Sequence, residues 1–147
     1  MRWRFALMLV ATGLSWAGIA GAAQQSGEGY VRSIYETLPD SDWTKLHYAP
    51  KLEALIRRNQ ACEKATRGIC RLDFDPLCGC QDFADDYRMD SIRSLSASRV
   101  EVVIDNGGRQ VIKIDLEPLG ARWAIADIHH KDVPSLVALL SRDVSKE

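Results

Sequence analysis

Between residues 99 and 117 the chain alternates apolar and polar positions with a period of two. Val100, Val102 and Ile104 fall on one side of the first run; Ile112, Ile114 and Leu116 fall on one side of the second, opposite Lys113, Asp115 and Glu117. This is the pattern of half-buried strands, and Asn106-Gly107-Gly108 between them predicts a hairpin turn. Pro118-Leu119-Gly120 turns the chain again, residues 122–130 predict a further strand, and residues 87–95 a less regular one before the hairpin. Elsewhere the spacing is helical. Tyr30, Val31, Ile34, Tyr35 and Leu38 predict a helix over residues 27–38, ended by Pro39-Asp40-Ser41-Asp42. A second opens near Tyr48 and Pro50 and buries Leu52, Leu55, Ile56 and Asn59, with Cys62 next on the stripe. Asp132 and Pro134 start a last helix whose stripe is Val133, Leu136, Val137 and Leu140. Residues 66–86 hold no sustained period and predict a long loop, with a short extended piece at residues 70–74. The sum is an α+β domain: helices covering one face of a curved antiparallel sheet of three or four strands, a C-terminal helix and a disulfide-stapled loop.

The amino end changes the picture. Arg2 and Arg4 precede an apolar run from Phe5 to Ala20, and Ala20-Gly21-Ala22 or Gly21-Ala22-Ala23 closes it with small residues. A run of about 16 residues falls short of the ~20 that span a bilayer, so residues 1–23 are expected to be a cleaved signal peptide, with one domain at residues 24–147. The exported chain would not be inserted in a membrane. It carries 17 basic against 20 acidic side chains, without the clustered basic face that nucleic acid requires.

Export gives meaning to Cys62, Cys70, Cys78 and Cys80, which predict two disulfides. Three connectivities are possible. Pairing across the single residue Gly79 strains the bridge, which favours the two arrangements that tie Cys62 and Cys70 to the Cys78-Gly79-Cys80 turn. Zinc is disfavoured because the cysteine spacing matches no common module. Thiol redox chemistry is disfavoured because no Cys-x-x-Cys opens a helix.

Several residues together resemble DUF3828, a bacterial family of exported proteins of unknown function with an NTF2-like, or cystatin-like, α+β fold. The matching points are Tyr48-Ala-Pro-Lys-Leu-Glu-Ala-Leu55, Leu72-Asp-Phe-Asp-Pro-Leu77, Gln81-Asp82, Trp123-Ala-Ile-Ala-Asp127-Ile128 and Ser135-Leu136. The resemblance spans residues 26–142. It implies a fold with a concave face and export, and no reaction; function has to be argued from a site.

Two groups of residues are candidates for that site. The first is the acidic stretch with Asp73, Asp75, Gln81, Asp82, Asp85 and Asp86. Its spacing departs from a calcium loop, since Leu77 and Cys78 stand where a ligand and the required glycine belong, so a rigid acidic rim for recognition is expected. The second is Asp127 and His129, two apart on one strand and so expected to share a face with Trp123 and Ile125. The leading expectation is a non-catalytic periplasmic binding protein without cofactor or metal. Its partner would be a protein, in the sharpest form an exported antibacterial effector that it neutralises as an immunity or inhibitor protein. One alternative is a binder of a small apolar ligand or lipid inside the cone; another is an enzyme using Asp127 and His129 as an acid–base pair.

Overall fold

The computed structural model describes residues 25–142, so the expected signal peptide and the last five residues lie outside the described part. The elements run α1 (Gly27–Tyr35), a short 3-10 turn (Trp43–Lys45), α2 (Pro50–Thr66), β1 (Arg88–Ser96), β2 (Arg99–Asp105), β3 (Arg109–Leu119), β4 (Arg122–His129) and α3 (Leu136–Ser141). The four strands form an open antiparallel sheet in chain order. The α+β architecture read from the alternation is therefore the observed one.

One face of the sheet is apolar, and the helices cover it. Val100, Val102 and Ile104 of β2, Ile112, Ile114 and Leu116 of β3, and Ile125 and Ile128 of β4 are buried. They form one core with Val31, Ile34 and Tyr35 of α1, Leu52 and Ile56 of α2, and Leu136 and Leu140 of α3. Each such side chain contributes about 1.5–3 kcal/mol. Ser26 caps α1 by accepting from Gly29 N at 3.0 Å. Gly27 lies so close to β3 that a Cβ there would stand 2.8 Å from Leu116 Cδ1, so a larger residue at this start of α1 would have to displace that side chain. α1 ends at Tyr35, earlier than its stripe suggests; Leu38 reaches the core from the turn that follows. Ahead of α2, Ala49 N donates to Ile125 O at 2.8 Å and Ile125 N donates to His47 O at 2.9 Å. This segment covers the outer edge of β4 at that point.

β4 carries a bulge. Asp115 faces Asp127 and Leu116 faces Ile125, which leaves Ala126 without a partner across the ladder. One extra residue reverses the alternation. Ile125 and Ile128 both point into the core, and Asp127 and His129 point to the open face. The expectation that Asp127 and His129 share a face with Trp123 and Ile125 is corrected accordingly: Trp123 packs on the α1 side, its indole N–H donating to Gln25 O at 2.7 Å. α3 also begins later than expected, with Ser135 as its cap rather than Asp132.

The open face is charged. Arg88 pairs with Asp105, Arg93 with Glu101 and Arg99 with Asp115, each directly across neighbouring strands. Exposed pairs of this kind contribute at most about 1 kcal/mol each, so their main effect is to fix which carboxylates are already neutralised.

The loop after α2 has no strand at residues 70–74, and its disulfides are local: Cys62–Cys70 and Cys78–Cys80. This corrects the expected cross-link between the two cysteine pairs. Gly79 takes φ +61°, a left-handed conformation that folds the turn back and brings the Cys78 and Cys80 Cα atoms to 5.1 Å. Cys62–Cys70 ties the end of α2 to the first residues of the loop, where Asn59 Oδ1 accepts from Arg71 N at 2.9 Å. Trypsin cleaves after Arg71, between the pairs. Non-reducing peptide mapping is expected to give two separate disulfide species, and a single species joining residues on both sides of Arg71 would refute this pairing.

Candidate functional site

The acidic residues singled out in the sequence fall on both sides of one turn, residues 75–80. Asp75 organises that turn. Its Oδ1 accepts from Leu77 N at 2.7 Å, its carbonyl accepts from Gly79 N at 2.8 Å, and its N–H donates to Cys80 O at 2.8 Å. An Asp-Pro pair is suited to this, because the carboxylate bonds backbone two residues on while proline fixes its own φ. The turn drives Leu77 and Cys78 into the core, where Leu77 O accepts from the buried Tyr35 hydroxyl at 2.7 Å. Asp75 is thus half-buried and committed inward, not part of an acidic rim. Burial pushes its carboxyl above the ordinary carboxylate range, only partly offset by the Leu77 N–H.

The rest of the rim is outside. Asp73, Gln81, Asp82, Asp85 and Asp86 are exposed. Among the described residues none of their side chains enters a hydrogen bond or ion pair. Their backbone is nevertheless held: Asn106 of the β2–β3 hairpin accepts from Ala84 N at 2.6 Å and donates to Asp82 O at 3.3 Å. The hairpin asparagine, read from sequence as a turn former, is also the anchor of the rim.

Beside the rim the sheet stops unevenly. The first β3–β4 pair is Lys113 with His129, so residues 109–112 of β3 pair with β2 and, among the described residues, have no strand on the other side. β4 ends because the chain turns away at His130, whose N–H donates to Val133 O at 2.9 Å. The His130 ring is locked to the loop. Its Nε2–H donates to Pro76 O at 3.0 Å, Phe74 meets it edge-on at 5.5 Å, and Gly79 lies so close that a Cβ would come 3.1 Å from Nδ1. Burial lowers its pKa, which favours the neutral ring. The result is a cleft of about 800 Å³ lined by Phe74, Gln81, Arg109, Val111, Lys113 and Lys131, among others. Sequence reasoning missed it. The Arg109-x-Val111-x-Lys113 alternation was visible, but the early end of β4 depends on loop contacts that no local pattern reveals.

Asp127 and His129 meet on the open face as a latch for α3. Asp127 Oδ1 accepts from Val137 N at 2.9 Å and Oδ2 from Ser135 Oγ at 2.6 Å, while Ser135 Oγ accepts from Ala138 N at 3.0 Å. His129 donates through Nδ1 to Pro134 O and through Nε2 to Asp115 Oδ2, the latter at 2.9 Å. Both partners are acceptors, so the geometry favours the imidazolium, in which both nitrogens donate. Burial opposes that charge, but the Pro134 carbonyl, Asp115 and Asp127 outweigh it and raise the pKa above 6.5. Asp115 is lowered, chiefly by the Arg99 guanidinium.

Among the described residues no group of three or more His, Cys, Asp or Glu side chains is placed to hold a metal ion. No described helix is long and apolar enough to cross a membrane, and the two disulfides fit an oxidising compartment. No family model, no curated protein and no solved structure matches the chain.

Two pH dependences follow with opposite origins. His129 is raised in the folded state, so its contribution is complete below about pH 6.5, the unfolded value, and is lost as pH rises through the folded pKa. Urea midpoints should fall over that window in the wild type and stay flatter in His129→Gln; an equal fall in both would sink the latch. Asp75 is also raised, which for a carboxylate means that its ionised form weighs against the fold. Asp75→Asn keeps an oxygen for Leu77 N and removes the charge, so stability at pH 7 should match or exceed wild type, whereas Asp75→Ala should lose about 1–3 kcal/mol.

Proposed function

We propose that the chain is a non-catalytic binding protein, exported to the periplasm by its amino-terminal signal, with the DUF3828-like, NTF2-like or cystatin-like character its motifs suggest. The observation that carries this reading is the contrast within residues 71–86. Asp75 and the Cys78–Cys80 disulfide hold the backbone of the turn, with Cys62–Cys70 tying down the chain just before it, while Asp73, Asp82, Asp85 and Asp86 are exposed and have no side-chain partner among the described residues. A rigid rim with unspent charge is suited to capturing a basic protein, because it steers encounter and pays little ordering entropy on binding. In its sharpest form the partner is an exported antibacterial effector of the cell-wall hydrolase class, and the chain is its immunity or inhibitor protein.

Other uses of the fold draw less support. The inner face of the sheet is filled by side chains such as Ile104, Ile112, Ile114 and Ile125, which favours a solid core over an apolar ligand cavity. Asp127 has its carboxylate engaged at the start of α3, and His129 has both ring nitrogens engaged by Pro134 O and Asp115.

The test replaces Asp73, Asp82, Asp85 and Asp86 together by Asn. Stability should change by no more than about 0.5 kcal/mol per site, as at exposed positions generally. Association with the product of the neighbouring gene should slow severalfold, and the wild-type rate should lose its advantage at high salt. An unchanged association rate in the fourfold variant would remove the rim from recognition. Absence of any complex, with cells lacking the protein indifferent to that product, would remove the immunity role.

A further inference from the structure

We infer that the cleft beside the rim is a second recognition element: it takes an extended peptide segment of the partner, bearing acidic side chains, as an added strand on β3. The inference rests on the reading of the chain as a binding protein and specifies what this part of its surface binds.

Three observations converge on the same few residues. First, β3 runs four residues beyond its pairing with β4, so an unoccupied ladder edge faces the cleft over residues 109–112. An unpaired edge offers backbone N–H and C=O groups to another strand, which is how extended peptides join sheets. Second, that edge is kept open. The chain that would continue β4 is diverted at His130, whose ring is fixed by Pro76, Phe74 and the Gly79 turn. Third, the charge lining the cleft is predominantly positive. Arg88, Arg93 and Arg99 are matched with carboxylates on the open face, whereas Arg109, Lys113 and Lys131 have no ion-pair partner among the described residues. Among the described residues Asp132 is the one carboxylate lining the cleft.

The pattern of β3 gives the pattern of the ligand. Arg109, Val111 and Lys113 are exposed on one face of the strand, with Val111 at 37 % exposure between two cations. The outer pair stands about 13 Å apart at strand rise. A strand laid alongside would place every second side chain beside one of them, so the matching sequence is acid-x-apolar-x-acid. The pattern reads the same in both directions and admits a parallel or an antiparallel segment. Lys131, across the cleft, adds a third positive charge near the peptide backbone.

The test uses the purified, disulfide-bonded, isotope-labelled protein and the synthetic peptide acetyl-Glu-Thr-Val-Thr-Glu-amide, with the Lys-Thr-Val-Thr-Lys counterpart and free glutarate as controls. The acidic peptide should shift the amide resonances of residues 109–113 and slow hydrogen exchange at this edge. The Arg109→Glu/Lys113→Glu double variant should weaken it roughly tenfold or more and turn the preference towards the basic peptide. Glutarate shifting the same resonances without slowing exchange would make this a small-anion site and overturn strand addition. No response to the acidic peptide, or an equal response in the double variant, would overturn it as well. If the double variant still captures the partner protein through its acidic rim, the cleft loses its role while the reading as a binding protein stands.

Discussion

The need to bury one face of β2 and β3 governs this molecule. Five aliphatic side chains, Val100, Val102, Ile104, Ile112 and Ile114, line up on that face with almost no exposure, and everything else is placed by how they are covered. α1 covers the β1–β2 side, α2 and α3 the β4 side, and the loop after α2 closes the end by sending Leu72, Leu77 and Cys78 inward. Since the apolar side is fully used, chemistry is left to the opposite face and to the sheet's end. Both are polar, and both are framed by residues whose own bonds serve the fold.

That framing explains how two acidic residues of one expected rim came to have different fates. Asp73 and Asp75 are two apart in the chain, yet Asp73 is exposed and Asp75 is the acceptor at the centre of the turn. Similarly, Asp127 and His129 look like an acid–base pair by type and spacing. Their contacts show a carboxylate acting as a remote helix cap and a ring donating from both nitrogens. In both cases the residue type was informative and the role was decided by where the backbone N–H groups lay.

Much of the fold was legible because it is written in local periods. The β2–β3 hairpin, with Asn106-Gly107-Gly108, and the apolar stripe of α2 needed no tertiary information. What was not legible depended on contacts between distant segments. The pairing of the cysteines turned on the left-handed Gly79, which brings neighbours in sequence within bonding range. The cleft turned on His130 being captured by Pro76, 54 positions earlier. Neither leaves a periodic trace.

Ala126 shows how much can hang on one residue. It faces no partner in β3, and its side chain is not what matters. It acts as a parity bit: with it, the first half of β4 presents odd-numbered residues to the core and the second half an even-numbered one. Paired regularly, with Ala126 in the ladder, β4 would offer the core Asp127 in place of Ile128, and α3 would lose both its apolar seat and its capping carboxylate. The bulge, and not the side chain at 126, keeps Asp127 out of the core, and deleting Ala126 would leave a regular ladder with Ile125 and Ile128 still facing inward, a result that only strand counting makes visible.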